Sequence, residues 1–192
     1  MFDIVDEEDR LIGQAARAEC HGNPALIHRV AHVLVFNRRG ELLLQKRSCR
    51  KDIQPGKWDT SVGGHLDPGE SYRQGANREM AEELGIRGIP LTFLYHSKIR
   101  NDIESENVAT FLARFDGDID FAVEEIEAVR FWTPEEIDQE CGAGIFTPNF
   151  EFEWAMFKQW SRRYPPADGE RIAFCAGDSF PDLLTDLDRF EG

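Results

Sequence analysis

The chain lacks long apolar runs and a recognisable export signal. No stretch approaches the roughly 20 apolar residues that cross a bilayer. Residues 1–6 have neither the basic start nor the apolar core of a signal peptide. These absences predict a cytoplasmic protein that has no membrane partner.

Cysteine is also scarce. The four cysteines are widely scattered and form no Cys-x-x-Cys pair. Such pairs are typical of zinc sites, so a cluster built from cysteines alone is not expected. A chain of 192 residues can bury a sufficient core without disulfides, and we therefore expect free thiols.

Basic residues are outnumbered by acidic ones, 22 to 36, and the formal net charge is −14. Nucleic-acid binders usually present a basic surface, so this balance argues against a nucleic-acid polymer as partner. Clustered carboxylates bind hard cations, so part of the acidity is a candidate for metal binding. The larger part is expected to be solvated surface.

Strand and helix patterns alternate along the chain, with no internal repeat. Hydrophobic periodicity, turn residues and capping residues predict the elements. The predicted strands are two hairpins at 3–19 and 30–47, a short strand near 58–62, and strands near 91–99, 106–115 and 128–132. The predicted helices run from the N-cap Ser71 to about Leu84, from the N-cap Thr133 onward, and over 149–162. This mixture predicts an α/β layered domain.

The domain is expected to span residues 1–163, with residues 1–29 as an N-terminal hairpin extension. The Pro- and Gly-containing stretch after Tyr164 is typical of a linker. Residues 164–192 are therefore interpreted as a linker and an acidic tail segment. A docked amphipathic segment, disorder and a dimer contact all remain open for that tail.

Three glutamates on the predicted helix carry the first chemical signal. Glu79, Glu82 and Glu83 stand at i, i+3 and i+4, so their carboxylates share one face and repel each other. Mg²⁺ or Mn²⁺ on that face would remove the repulsion, because these ions take oxygen ligands. The pattern alone is more often a solvated surface. A glycine-rich turn directly before the helix, however, lets backbone groups approach an anion or a metal.

The stretch from Gly64 to Ile86 resembles the Nudix box at every fixed position. The matching residues are Gly64, Glu70, Arg78, Glu79, Glu82, Glu83 and Gly85, with Met80 and Ile86 where the family has aliphatic residues. A match of this length is far more specific than a short motif.

The resemblance implies an α/β/α sandwich around a mixed β-sheet, with the box at 64–86. It implies that Glu79, Glu82 and Glu83 bind Mg²⁺ or Mn²⁺ with help from a backbone oxygen at Gly63 or Gly64. It also implies that Glu79 or Glu82 is the catalytic base. The remaining pair, Glu70 and Arg78, is interpreted as orienting helix and loop, a role that can also be purely structural.

A narrower likeness runs from about residue 4 to residue 132. Residues 26–29, 42–48, 55–58 and Gly64-His65 are similar to the metal-dependent isopentenyl diphosphate isomerases, which share the Nudix fold. Those isomerases hold a metal with three histidines and two glutamates. The resemblance implies a second metal site, for Mn²⁺ or Zn²⁺, formed by His21, His28, His65, Glu104 and Glu106. The alternative is that these residues are ordinary structural ones, as His32 and His96 are interpreted to be.

The chain departs from the isomerase pattern at three places. Gly63 occupies the position of the catalytic cysteine, and a glycine cannot protonate or deprotonate carbon. The Nudix box is whole here, whereas the isomerases have a degraded one. The isomerase tryptophan after a late Ser-Pro corresponds here to Asn149.

The sequence therefore predicts a metal-dependent hydrolase that cleaves a phosphoanhydride bond in a small molecule containing a diphosphate. A nucleoside diphosphate linked to another moiety is one such substrate. The alternatives are an isomerase-like enzyme and a non-catalytic ligand-binding module. A basic run is the candidate phosphate contact, with a solvated loop as the equal alternative, and comprises Lys46, Arg47 and Lys51. A homodimer is the alternative to a monomer, although no motif specifies it.

Overall fold

The computed structural model describes residues 1–20, 22–51 and 53–164, and nine strands and four helices lie within them. The strands are β1 (Phe2–Val5), β2 (Leu11–Ala15), β3 (Ile27–Phe36), β4 (Leu42–Arg47), β5 (Trp58–Asp59), β6 (Val62–His65), β7 (Thr92–Arg100), β8 (Ser105–Arg114) and β9 (Ile126–Trp132). The helices are α1 (Arg17–Cys20), α2 (Tyr72–Leu84), α3 (Pro134–Glu140) and α4 (Pro148–Arg163). Residues 165–192, which hold nearly all of the predicted tail, lie outside the described residues.

The mixed sheet is organised around β3. Strand β8 pairs with β3 in parallel along its whole length, and β7 continues the sheet beyond β8. Along its other edge, β3 pairs antiparallel with β1, then β6, then β4. The N-terminal hairpin of β1 and β2 is thus added directly to the central sheet.

The predicted hairpin at 30–47 differs from the observed pairing. Strands β3 and β4 pair only at Phe36 and Leu42, beside the turn, and then separate. The single strand expected near 58–62 is two strands, since β5 joins β4 while β6 joins β3. Between them, the Ser61 hydroxyl donates to the carbonyl of Leu43 and accepts from the amide of Val35. This side chain holds the separated strands at the point where a cleft opens.

Two helices cover the opposite faces of the sheet. Met80 and Leu84 of α2 pack on the face that carries Val33. The other face carries Leu34 and packs against aromatic residues of α4, including Trp154. Alternate residues of a strand point to opposite faces, so β3 separates two cores. The predicted α/β/α architecture with a mixed sheet is confirmed.

Helix α2 begins and ends as its sequence predicts. Ser71 and Gln74 form a reciprocal capping box, which satisfies amide groups of the first turn. Gly85 ends the helix at φ 67°, a conformation that favours glycine. A side chain there would also crowd the carbonyl of Asp120. These two ends fix where the box glutamates emerge.

No helix in the described ranges is long and apolar enough to cross a membrane. The aromatic side chains of Tyr72, Tyr95 and Phe111 are buried in the core, so they are not available to stack on a bound base.

Candidate active site

A cleft of about 490 Å³ opens where β3 and β4 separate. Strand β6 lies along it, and α2 approaches it from one side of the sheet. Its lining brings together four box residues, three members of the predicted second metal group and two of the predicted basic residues: Gly64, Arg78, Glu79, Glu83, His65, Glu104, Glu106, Arg47 and Lys51. Residues far apart in the sequence thus share one solvent-accessible volume.

Gly64 allows the box helix to approach the sheet. It pairs with Ala31 of β3, and a β-carbon built on it would overlap the carboxylate of Glu79. Any side chain at this position would therefore displace Glu79. Because Gly64 has no side chain, the carboxylate of Glu79 lies directly against the backbone of β6, and the Glu79 side chain is 15% exposed.

Arg78 connects the box loop to the box helix. Its Nε and Nη2 donate to the two oxygens of Glu70, both at 2.9 Å. Its Nη1 donates to Glu79 at 2.8 Å and to Glu82 at 3.2 Å, and Nη2 also donates to the carbonyl of His65. Hydrogen bonds to Glu70 are the main reason that the pKa of Arg78 is raised above its usual value. A planar guanidinium can satisfy this forked set, whereas an ammonium cannot.

The carboxylates of Glu79 and Glu83 lie in the wall of the cleft, where their ionised forms are unfavourable. Burial raises the pKa of Glu79, and the hydrogen bond from Arg78 opposes that shift. Burial, together with the charge of Glu79, raises the pKa of Glu83 to about 8. Gln45 of β4 donates to Glu83 at 3.0 Å. Two such groups facing one cleft fit a divalent cation, whose charge would favour both ionised forms.

Glu82 differs from its two neighbours. Its side chain is 58% exposed, and it is not among the described residues that line the cleft. Glu82 is linked to the cleft only indirectly, because Arg78 donates hydrogen bonds to both Glu79 and Glu82. The three predicted ligands are therefore not equivalent in this structure.

Replacing Glu83 with glutamine should stabilise the metal-free protein. The pKa of Glu83 is about 8 in the fold and 4.5 ordinarily, so the charge penalty grows as the pH rises through that interval. Because solvent still reaches part of the side chain, we expect a gain of about 1–2 kcal/mol at pH 8 and almost none near pH 4.5. Urea unfolding in EDTA across this pH range measures it. Glu82→Gln, at an exposed position, is the matched control and should show little change.

A gain for Glu83→Gln that does not vary with pH would contradict this assignment. Added Mg²⁺ should stabilise the wild type and leave the Glu83→Gln variant nearly unchanged, because glutamine offers a poorer ligand.

The predicted second metal group is partly assembled on the other side of β6. Potential ligand atoms of His28, His65 and Glu106 all lie within 4.8 Å of one another. Nε2 of His28 is 3.5 Å and Nε2 of His65 is 3.6 Å from the same oxygen of Glu106. Burial lowers the pKa of His65, while contacts with both histidines outweigh burial and lower the pKa of Glu106. Imidazole nitrogens beside a carboxylate are the donor set that Zn²⁺ or Mn²⁺ accepts.

The other two predicted members of this group have different outcomes. Glu104 lines the cleft but stands outside the three-residue cluster, and its pKa is raised by burial and by the charge of Glu106. His21 lies outside the described residues. Phe2, which the sequence did not indicate, stacks on His65 at 4.5 Å and on His28 at 5.2 Å. Its strand β1 pairs with β3 at His28, so the N-terminal hairpin supplies this ring.

Two of the three predicted phosphate contacts reach the cleft. Arg47 lines it and donates to Asp59 at 3.1 Å, and Lys51 lines it while pairing with Glu125. Lys46 does not, because side chains alternate along β4. Its ammonium pairs with Glu127 at 2.7 Å instead.

His32 and Glu153 form a further pair at the cleft that no sequence motif indicates. His32 lines the cleft beside Gly63, and its Nδ1 contacts both carboxylate oxygens of Glu153 at 3.0 and 3.1 Å. The two residues are 121 positions apart in the sequence. A single histidine and a single glutamate on separate elements form no local motif.

The protein is an α/β/α domain in which the glutamates of helix α2 reach the cleft because Gly64 leaves room for Glu79. The NUDIX domain family model matches residues 26–150. The chain belongs to the Nudix family, whose hydrolases it resembles in both fold and box.

Relatives agree with this assignment. An uncharacterized Nudix hydrolase of Yersinia pestis is 38% identical over 149 residues, which are 77% of this chain and 79% of that protein. An isopentenyl-diphosphate Delta-isomerase 2 of Photorhabdus laumondii is 36% identical over 133 residues, 67% of this chain and 74% of that protein. Among solved structures, DR0079 of Deinococcus radiodurans is similar with a TM-score of 0.71 and 25% identity, covering 81% of this chain and 97% of that one.

Proposed function

We propose that the protein is a metal-dependent diphosphatase that hydrolyses a phosphoanhydride bond in a small molecule containing a diphosphate. One observation carries the proposal: the half-buried carboxylates of Glu79 and Glu83 face the same cleft as the cations of Arg47 and Lys51. Carboxylates suit a hard cation, and the cations suit phosphate oxygens.

The box would hold Mg²⁺ or Mn²⁺ through the carboxylates of Glu79, Glu82 and Glu83 and backbone oxygen at Gly64. The fit is supported by two raised carboxyl pKa values and by the glycine that lets Glu79 reach the sheet. The ion, when bound, neutralises diphosphate charge and makes a water easier to deprotonate.

The side chains divide the remaining work. Glu79 lines the cleft and has a raised pKa, so it is the favoured proton acceptor, with Glu82 as the alternative. Arg78 and Glu70 position Glu79 by the forked contacts described above. Arg47, fixed by Asp59, and Lys51 bind the phosphates.

The His28, His65 and Glu106 cluster is proposed to hold a second ion, with Glu104 and His21 as further ligands. Its support is the convergence of three donors within 4.8 Å of one another, with the ring of Phe2 stacked on both histidines. The mixed nitrogen and oxygen donors favour Mn²⁺ or Zn²⁺ over Mg²⁺.

Loading with Zn²⁺ or Mn²⁺ and then desalting should leave about one tightly held ion per chain, measured by mass spectrometry of the metal. Glu106→Gln should lower the affinity by more than the roughly 10–100-fold that loss of a supporting residue costs. Glu82→Gln, in the box, should keep the tight ion. If the Glu106→Gln protein retains as much metal ion as the wild type, the proposed second metal site is wrong.

An isomerase is the second candidate, favoured by this same cluster and by the Photorhabdus laumondii relative. Gly63 argues against it, because no cysteine is among the described residues that line the cleft. Isomerisation of a double bond needs one group that protonates carbon and another that deprotonates it.

The deciding experiment is a panel of nucleoside diphosphate derivatives, dinucleotides, sugar diphosphates and isopentenyl diphosphate, assayed with Mg²⁺ or Mn²⁺. Phosphorus NMR follows hydrolysis and proton NMR follows double-bond migration. We expect metal-dependent release of phosphate or a monophosphate, lost in Glu82→Gln. Isomerised isopentenyl diphosphate without phosphate release would replace the hydrolase by the isomerase. Binding without any turnover across the panel would indicate a ligand-binding module.

A further inference from the structure

His32, which lines the cleft, forms a buried ion pair with Glu153, and neither residue belongs to the box or to the His28 cluster. His32 is on β3 and Glu153 is on α4, and Glu153 also accepts from the Thr110 hydroxyl at 2.8 Å. Glu153 is 5% exposed and His32 is 9% exposed. A buried carboxylate is costly without a counter-charge, so this arrangement favours an imidazolium at His32.

The orientation of the imidazole follows from its contacts. Nδ1 is occupied by Glu153, which leaves the Cδ2–Nε2 edge for the cleft. A β-carbon on Gly63 would stand 3.3 Å from Cδ2 and 3.4 Å from Nε2. Since β6 places Gly63 directly opposite His32, a side chain there would cover this edge. Glycine leaves it open.

The position of His32 suits an extended anionic ligand. His28 and His32 are four residues apart on one strand, so they share a face of the sheet about 13 Å apart. A cation at His32 would therefore meet a part of the ligand well separated from the His28 cluster. Burial opposes the charged form, but the charge and hydrogen bond of Glu153 raise the pKa of His32 to about 9.

We propose that His32 is a substrate-binding residue whose Nε2–H, on the edge that Gly63 leaves open, donates a hydrogen bond to a phosphate oxygen. Glu153 is its positioning residue and keeps Nδ1 engaged. The inference rests on the proposed function, because it takes the ligand to be a diphosphate. In this interpretation Gly63 is the opening through which the ligand reaches His32.

The competing explanation is that the His32–Glu153 pair only ties α4 to the sheet. Two variants separate the explanations. His32→Gln removes the cation, whereas Gly63→Ala keeps the ion pair and covers its open edge. His96→Gln is the matched control, since His96 is a half-buried histidine of strand β7 and lies outside the described lining of the cleft.

The probe is methylenediphosphonate with Mg²⁺, a diphosphate analogue that cannot be hydrolysed, and binding is measured by calorimetry. We expect the Kd to rise about 10–100-fold in His32→Gln, the range for loss of a charge-assisted hydrogen bond. It should rise about tenfold in Gly63→Ala and stay within about twofold in His96→Gln.

Unchanged affinity in both His32→Gln and Gly63→Ala would overturn the inference and leave the proposed function standing. Weakening by His32→Gln alone would assign the pair a structural role and overturn it as well. If the wild type binds no diphosphate analogue, the proposed function fails together with the inference.

Discussion

Replacing Glu79 with glutamine should lower kcat/KM for hydrolysis by about 10²–10⁴-fold, the range that general-base catalysis contributes. Glutamine keeps the shape of the side chain and can still contact Arg78, but it can neither take a proton nor offer a charged ligand. The position is sensitive because the Glu79 carboxylate is 15% exposed and set against Gly64. Steady-state kinetics with saturating Mg²⁺ measure the effect on the substrate that the panel identifies.

Glu135→Gln is the control for the loss of one negative charge. Glu135 is exposed in the first turn of α3 and lies outside the described lining of the cleft. Its activity should remain within about twofold of the wild type, as for most surface changes. Equal kinetics in Glu79→Gln and the wild type would remove Glu79 from the catalytic assignment and leave Glu82 as the candidate base.

Gly64→Ala should lose about 100-fold in activity, because a misplacement of about 1 Å in a catalytic group can cost that much. The added methyl would overlap the Glu79 carboxylate, which must then move away from β6. Overpacking of this kind also costs about 1–3 kcal/mol in the free energy of unfolding. Kinetics and urea unfolding on the same preparation separate the two effects.

Gly13→Ala is the matched control for the same chemical change. Gly13 is also a strand glycine, but a β-carbon there meets nothing within 4 Å. Its activity and stability should stay close to those of the wild type. Full activity in Gly64→Ala would show that catalysis does not require the Glu79 carboxylate to lie against the sheet.

The part of the site that lies within one helix could be predicted from the sequence. Glu79, Glu82 and Glu83 owe their grouping to helical spacing, and Ser71 and Gly85 set the ends of that helix. Each of these signals is local, so no knowledge of the tertiary fold was needed. The box resemblance added the identities of Gly64 and Arg78.

Long-range contacts account for what the sequence did not show. The separation of β3 from β4 depends on β5 and β6, which follow later in the chain and compete for the same edges. The turn at residues 37–40 does predict a hairpin, but it fixes only the pairing next to it. The cleft itself was therefore beyond local reasoning.

Side-chain direction explains two further differences. Lys46 and Arg47 are adjacent, so the strand sends them to opposite faces, and only Arg47 meets the cleft. His32 matches no motif in the sequence and is therefore interpreted there as structural, because its partner Glu153 lies far away on the last described helix and gives no local signal. No pattern within β3 distinguishes a histidine of this kind from one buried in the core.

Hydrolysis in water enriched in ¹⁸O tests the central claim most directly. The compound of the panel that is hydrolysed fastest is incubated with Mg²⁺ or with EDTA, and the masses of the products are measured by mass spectrometry. The account predicts that one product carries one ¹⁸O on a phosphoryl group and that turnover stops in EDTA. In Glu79→Gln, turnover and the incorporation of ¹⁸O should both be lost. Turnover that persists in EDTA, or a product that carries no ¹⁸O on phosphorus, would contradict metal-dependent cleavage of a phosphoanhydride.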